Sequence, residues 1–242
     1  MFSFFHNKKA SIKSEIVTDL HSHLLPGIDD GVATLMQSVE IIRKFQDLGY
    51  TKLITTPHIL HDFFDNTPQI IRDKLMVVKD QLKLEGCDIE IEAASEYYLD
   101  EHFSSLIDDK SEILTFGDNY VLFETGFMNE PVNLKEVIFK LKSNGLNPIM
   151  AHPERYGYLS QNFELVEDLV DRGVYMQLNI TSLSGYYSKE IKKMAEKLID
   201  NKFIHFLGSD CHHMHHMEAL EKSRNKKYYR KALELNLLNN TL

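Results

Sequence analysis

Cysteine is scarce: the 242 residues contain two, Cys87 and Cys211, far apart in the chain. So few thiols provide no disulfide framework and fit a reducing compartment. No apolar run approaches the roughly 20 residues that a bilayer crossing needs. The opening "MFSFFHNKKA" has too short an apolar stretch, with its charges on the wrong side, for a secretory leader. A cytoplasmic protein without membrane insertion is therefore expected. Positive charge is also in short supply. Against 36 Asp and Glu stand 27 Lys and Arg, a net charge of −9, which argues against a broad nucleic-acid or anionic-membrane footprint. Linkers, low-complexity tracts and internal repeats are missing too.

What is present is an ordinary globular composition, 43% apolar and 26% charged, long enough for one sizeable core. Short apolar runs alternate with runs of helical period. "IVTDL", "KLITT", "IEIEAA", "YVLFE", "LNPIMA", "VYMQLN" and "FIHFLGS" read as seven strands. Thr34 caps a helix through Lys44, with Gln37 completing a capping box. Further helices are expected from Pro68 to Leu84, around Leu99 to Ile107, from an Asn133 cap to Asn144-Gly145, from Phe163 to Asp171 ahead of Gly173, over "SKEIKKMAEKLID", and in the tail. Such units imply parallel strands with helical crossovers, in a closed barrel or an open doubly wound sheet.

Polar residues at the strand ends separate the two. His21 and His23 end the first strand, and His58 lies just past the second. Glu96 follows the third, Glu124 ends the fourth and His152 follows the fifth. Asn179 ends the sixth, and Asp210 and His212 follow the seventh. In a parallel barrel all those ends meet on one face, where active sites sit; an open sheet would gather them near one switch point. The expected fold is an α/β protein, a distorted (β/α)7 TIM-like barrel.

In "VTDLHSHLLPGIDDG" the two histidines stand two apart, on one face of a strand. They can point together into the mouth and hold a metal. The candidate ligands are His21, His23, Asp30, His58, Glu96, Glu124, His152, Asp210 and His212. That is more than one ion takes, since zinc commonly uses about four ligands, so two or three ions are expected. Nitrogen and oxygen donors without thiolate suit Zn, Mn or Fe better than Ca or Mg. Each residue alone has an ordinary explanation: Asp29-Asp30-Gly31 as a turn, Glu124 as a solvated rim residue, "GSDCH" as a loop. The same placement on seven successive strands does not. His61, His102, His205 and the cluster His213, His215 and His216 are assigned to surface, loop or helix faces, and Asp29 to bracing its turn.

The blocks "DLHSHLLPGIDDG", "TTPH", "SEYY", "LFE", "AHPERY" and "GSDCH" resemble those of the polymerase-and-histidinol-phosphatase superfamily, and within it the manganese-dependent bacterial protein tyrosine phosphatases that regulate capsular and extracellular polysaccharide synthesis. The likeness runs from about Thr18 to His212. It implies one PHP-type catalytic domain over 1–242, with residues 1–16 a peripheral N-terminal extension. It implies that His21, His23, Glu96 and Asp210 hold one ion, that Glu96 bridges to a second with Glu124 and His152, and that Asp30, His58 and His212 hold a third, with Mn the expected metal. Arg155, His212 and Asp30 would form the catalytic group, with Arg155 binding the substrate phosphate. The implied reaction is hydrolysis of phosphotyrosine by a metal-activated hydroxide. The implied partner is a phosphotyrosine protein, an autophosphorylated bacterial tyrosine kinase.

Relatives carry an arginine a few residues after the last ligand histidine; "HHMHHMEALE" has none before Arg224. Basic residues that some relatives carry after the second strand are missing from "HILHDFFDN". Three rival functions remain at this level: a small-molecule phosphatase such as histidinol phosphate phosphatase, an amidohydrolase, and a catalytically silent metal-bound interaction module.

Overall fold

Parallel pairing dominates the computed structural model, which describes residues 15–109 and 112–242. The strand segments are β1 (Thr18–Asp19), β2 (Lys52–Thr55), β3 (His58–Ile59), β4 (Glu90–Ala93), β5 (Glu96–Tyr98), β6 (Tyr120–Glu124), β7 (Asn147–Ala151), β8 (Tyr175–Asn179) and β9 (Phe206–Gly208). They form two sheets, β1-β2-β4 and β3-β5-β6-β7-β8-β9, all parallel. The nine segments are the seven expected strands, two of them interrupted. Pro57 separates β2 from β3, because it has no N–H to give the ladder. Opposite it, the Ala94-Ser95 step separates β4 from β5. Its hydrogen bonds are kept: the Pro57 carbonyl accepts from Glu96 N at 3.1 Å and from Ser95 Oγ at 2.6 Å.

The first and last strands meet through a parallel bridge between Ser22 and Cys211. Asp210 N donates to the His21 carbonyl at 2.8 Å and His23 N to the Cys211 carbonyl at 2.9 Å. Lower in the same seam, Asn239 donates through Nδ2 to the carbonyls of Thr18 at 3.0 Å and Leu207 at 2.7 Å, and accepts from Leu207 N at 2.9 Å. These bonds bring the β1 edge of one sheet and the β9 edge of the other together. Buried apolar side chains such as Leu20, Ile54, Phe123, Met150, Leu178 and Leu207 fill the core.

The crossovers are α1 (Leu35–Asp47), α2 (Pro68–Leu84), α3 (Glu101–Asp108) and α4 (Leu134–Ser143), then α5 (Gly157–Gln161), α6 (Glu164–Asp171), α7 (Lys189–Asp200), α8 (Met214–Arg224) and α9 (Lys227–Leu233). The Thr34–Gln37 capping box forms. Asn133 does not cap α4 through its side chain, contrary to expectation; its Nδ2 donates to Ser104 Oγ at 3.3 Å instead. The short α5 and the 3₁₀ turns at Pro153–Arg155 and Ile180–Ser184 were not anticipated. They are too short to show a hydrophobic period. The N-terminal extension expected over 1–16 lies outside the described residues as far as residue 14, and Ile16 packs into the core. Among the described residues no helix is long and apolar enough to cross a membrane.

Candidate metal centre and active-site cavity

All nine candidate ligands converge where the C-terminal ends of the strands open. Eight of them lie at or within three residues of a strand end or of the Ser22–Cys211 bridge; Asp30 comes from the turn after the first strand. His152 and Asp210 have positive φ, +34° and +50°, a conformation costly for a residue with a Cβ. Each stands just beyond its strand, where the chain must turn sharply to bring the side chain over the mouth.

The imidazole hydrogen bonds fix which atoms face inward. His21 Nδ1 pairs with Gln177 Oε1 at 2.7 Å, and His23 Nδ1 with Asp29 Oδ2 at 2.8 Å. Both partners are acceptors, so both Nδ1 atoms carry the proton and both Nε2 atoms present lone pairs. Those Nε2 atoms face each other at 3.3 Å. Glu96 Oε2 lies 3.2 and 3.4 Å from them, and Asp210 Oδ1 3.3 and 3.5 Å. Four acceptors directed at one buried point repel one another unless a cation lies among them. Second-sphere bonds of this kind, imidazole to amide or carboxylate, typically orient metal-binding histidines.

The cluster continues outward. His58 Nδ1 lies 3.2 Å from Glu96 Oε2 and 3.1 Å from Glu124 Oε1. His152 Nε2 lies 3.1 Å from Glu96 Oε1 and 3.8 Å from Glu124 Oε2. Asp30 Oδ1 lies 3.5 Å from His58 Nε2 and 3.3 Å from His212 Nε2. Donor atoms approach closely enough for a shared ion in four overlapping sets: His23, Asp30, His58 and His212; His21, His23 and Glu96; His21, His152 and Asp210; and His58, Glu96 and Glu124. Glu96 belongs to two of them, with both of its oxygens engaged, which suits a bridging carboxylate. His58 stands beside Glu96 and Glu124 as well as beside Asp30.

The electrostatics point the same way. Burial opposes charging His21, but Glu96 and Asp210 overcome it and push the imidazole up to about 10, so a positive charge, proton or metal ion, is favoured at its Nε2. Burial likewise opposes charging His58, and Glu96 and Glu124 raise it to about 10. Burial would raise the Glu96 carboxyl, yet His21 and His58 hold it well below the usual range. The cluster therefore draws positive charge strongly into a buried place. The donor set and its orientation, with Glu96 Oε1 and His58 Nδ1 buried beside His152 and Glu124, fit divalent transition metal ions.

A cavity of about 550 Å³ lies above these residues. It is walled by Leu60, Phe64, Tyr98, Phe127 and Tyr187. Arg155 is the one lysine or arginine among the described residues lining it. Its Nη1 donates to Asp210 Oδ2 at 3.0 Å. Burial opposes the Arg155 charge, and Asp210 more than compensates. Arg224 is elsewhere, bound to the Leu48 carbonyl and Glu15.

The family profile described as capsular polysaccharide synthesis, CpsB/CapC, matches residues 17–240. The chain belongs to the CpsB/CapC family. The tyrosine-protein phosphatase YwqE of Bacillus subtilis (strain 168) is 29% identical over 210 residues, covering 84% of this chain and 82% of that one. The tyrosine-protein phosphatase CpsB of Streptococcus pneumoniae is 28% identical over 203 residues, covering 81% and 83%. A crystal structure from work on those two proteins, described there as metal-dependent tyrosine phosphatases, superposes with a TM-score of 0.80 at 26% identity over 92% of this chain and 94% of that one. An amidohydrolase from Mycoplasma synoviae, 12% identical with a TM-score of 0.56 over 95% of this chain and 88% of that one, shares the fold.

In this CpsB/CapC member several side chains matter that sequence reasoning left aside. Gln177 orients His21, and Asn179 Nδ2 donates to Asp210 Oδ2 at 2.7 Å. The sequence offers Asn179 as the polar end of the sixth strand and gives Gln177 no local signal that sets it apart. Asp29 braces its turn as expected, accepting from Gly31 N at 3.0 Å, and orients His23 besides. His216 is expected on a surface, loop or helix face. It is buried in α8, lines the cavity with His213, and its Nδ1 accepts from His212 N at 3.1 Å. His61 and His102 stack on each other at 5.3 Å, and His205 Nδ1 accepts from Met176 N at 3.1 Å; none of these three lines the cavity.

Proposed function

We propose that this chain is a metal-dependent protein-tyrosine phosphatase. The observation that carries the reading is the convergence of inward-facing nitrogen and carboxylate donors beneath a cavity whose lining holds a single guanidinium. His21, His23, Glu96 and Asp210 would hold one ion. Glu96, Glu124 and His152, with His58 near by, would hold a second, and Asp30, His58 and His212 a third. Two to three ions follow from the donor count, with Mn first, and Fe or Zn as alternatives. Such ions, when bound, neutralise charge on phosphate oxygens and make hydroxide available near neutral pH.

The chain's own residues supply the rest. Gln177 and Asp29 fix the tautomers of His21 and His23, so their lone pairs stay turned inward. Arg155 presents a planar fork that can take two phosphate oxygens. The aromatic walls of the cavity exclude water around the tyrosyl ring. Neither thiol serves as a nucleophile: Cys211 is buried and held far above its ordinary pKa by burial, and Cys87 is buried beside Gln46.

The substrate would be a phosphotyrosine protein, an autophosphorylated bacterial tyrosine kinase acting in polysaccharide synthesis, and the setting the cytoplasm. Hydrolysis should be compared on a phosphotyrosine peptide, histidinol phosphate, and amide and lactone substrates, with metal content measured on the same preparation. Preference for the phosphotyrosine peptide is expected. Faster turnover of histidinol phosphate would move the reading to a small-molecule phosphatase. Turnover of none of them by metal-replete protein would leave a silent metal-bound module.

A further inference from the structure

Arg155 is flanked by two aromatic rings. Its guanidinium carbon lies 4.6 Å from the Phe127 ring centroid and 4.8 Å from that of Tyr187. The rings arrive from separate places, Phe127 from the loop after β6 and Tyr187 from the segment between the 180–184 turn and α7. Each is anchored without Arg155. The Phe127 carbonyl accepts from Gly157 N at 2.7 Å, and its ring stacks on Tyr156 at 5.9 Å. Tyr187 packs edge-on against Tyr186 at 5.1 Å and against His216 at 6.4 Å. A third contact, Nη1 to Asp210 Oδ2, sets the direction of the fork.

We infer that Phe127 and Tyr187 are positioning residues, a vise that holds the Arg155 guanidinium in place before substrate arrives. An arginine loses rotamer freedom when it grips a phosphate. One already fixed between two π-faces loses less, and each face also attracts its charge. With one lysine or arginine among the described residues lining the cavity, phosphate binding depends on that fixed orientation. This inference rests on the reading of Arg155 as the phosphate-gripping group.

The test is a mutant cycle on metal-loaded protein, with Phe127→Leu and Tyr187→Leu each made alone and in an Arg155→Ala background. Two quantities are read: kcat/KM on a phosphotyrosine peptide and calorimetric binding of inorganic phosphate. Each leucine variant should lose roughly 5- to 30-fold in kcat/KM when Arg155 is present, and phosphate binding should weaken by a similar factor. Tyr187→Phe, which keeps the ring, should recover most of what Tyr187→Leu loses. In the Arg155→Ala background the same leucine changes should add less than about twofold, because nothing remains to be positioned. A loss of equal size in both backgrounds, or none in either, overturns the vise; equal losses would mean that the rings act on the substrate or on folding. If Arg155→Ala alone leaves kcat/KM and phosphate binding at the parent level, the phosphate-gripping reading itself fails and the vise with it. Phe127 is 43% exposed, so its variant keeps the test alive if Tyr187→Leu does not fold.

Discussion

Arg155 belongs to two systems at once, the Asp210 carboxylate below it and the open cavity above. Removing it would leave Asp210 Oδ2 still bonded to Asn179 at 2.7 Å. Arg155→Ala should therefore change metal content and melting temperature little. It should cost roughly 2–4 kcal/mol of transition-state stabilisation, a drop of about 30- to 900-fold in kcat/KM. Arg155→Lys should recover only part, since an ammonium lacks the fork. Steady-state kinetics within threefold of the parent would leave phosphate binding to the metals. Its neighbour Glu154 makes a different prediction. Oε1 accepts from Asn179 N at 3.0 Å and Ser182 Oγ at 2.7 Å, while Oε2 is buried without a partner. Burial pushes this carboxyl up to about 7, above the ~4.3 of an unfolded glutamate. Between those values the unfolded chain gives up a proton that the folded chain keeps, so stability falls as pH rises. The contribution is full below the unfolded value and lost once pH passes about 7. Glu154→Gln keeps the Oε1 bonds and removes the titration. Relative to the parent, the variant should gain more melting temperature at pH 8 than at pH 5, measured on metal-free protein. Equal differences at the two pH values would dismiss the raised pKa.

At the scale of elements, close approach between β8, β9 and the first strand sets the site. A Cβ placed on Gly208 of β9 would meet Gln177 Nε2 at 2.6 Å and His21 Cβ at 2.9 Å. Gly208→Ala must push Gln177 or His21 aside, and with it the bond that fixes the His21 tautomer. Overpacking of this kind costs about 1–3 kcal/mol. The variant should fold with a lower melting temperature, bind less metal and lose activity by more than tenfold; unchanged metal stoichiometry would separate Gly208 from the site. The strands themselves were largely legible. "YVLFE" became β6 residue for residue, and "VYMQLN" and "LNPIMA" are each one residue longer than β8 and β7. The first strand was not. "IVTDL" yields a two-residue strand, because further bonds of its backbone run to the side chains of Asn239 and Asn240, partners that no local pattern reveals.

For the whole molecule, metal and fold should be linked. Nine candidate donors from around the two sheets, none of them from β8, meet at one end, four of them buried acceptors facing one point. Ions that bind the folded chain alone stabilise it by about 2.7 kcal/mol at a hundred times their dissociation constant. Strong chelation should therefore lower the melting temperature as well as abolish phosphotyrosine hydrolysis, and Mn should restore both. Elemental analysis should find two to three ions per chain. Full activity in a verified metal-free preparation would remove metal chemistry from the reading.

The sequence by itself determined the parallel αβ rhythm and the placing of eight of the nine candidate ligands at strand ends, because period and strand-end position are local properties that survive in one dimension. It also determined the lack of a disulfide frame and of a membrane-length apolar run. Tertiary structure decided the rest. Gln177 and Asp29 became tautomer anchors only when β8 and the 29–31 turn came against His21 and His23. His216 became part of the cavity only when α8 folded back beneath His212. Phe127 and Tyr187, sixty residues apart, came to flank one guanidinium because β6 and the segment before α7 end at the same rim. Such partnerships depend on contacts across long stretches of chain, and neither a side chain's period nor its propensity carries that information.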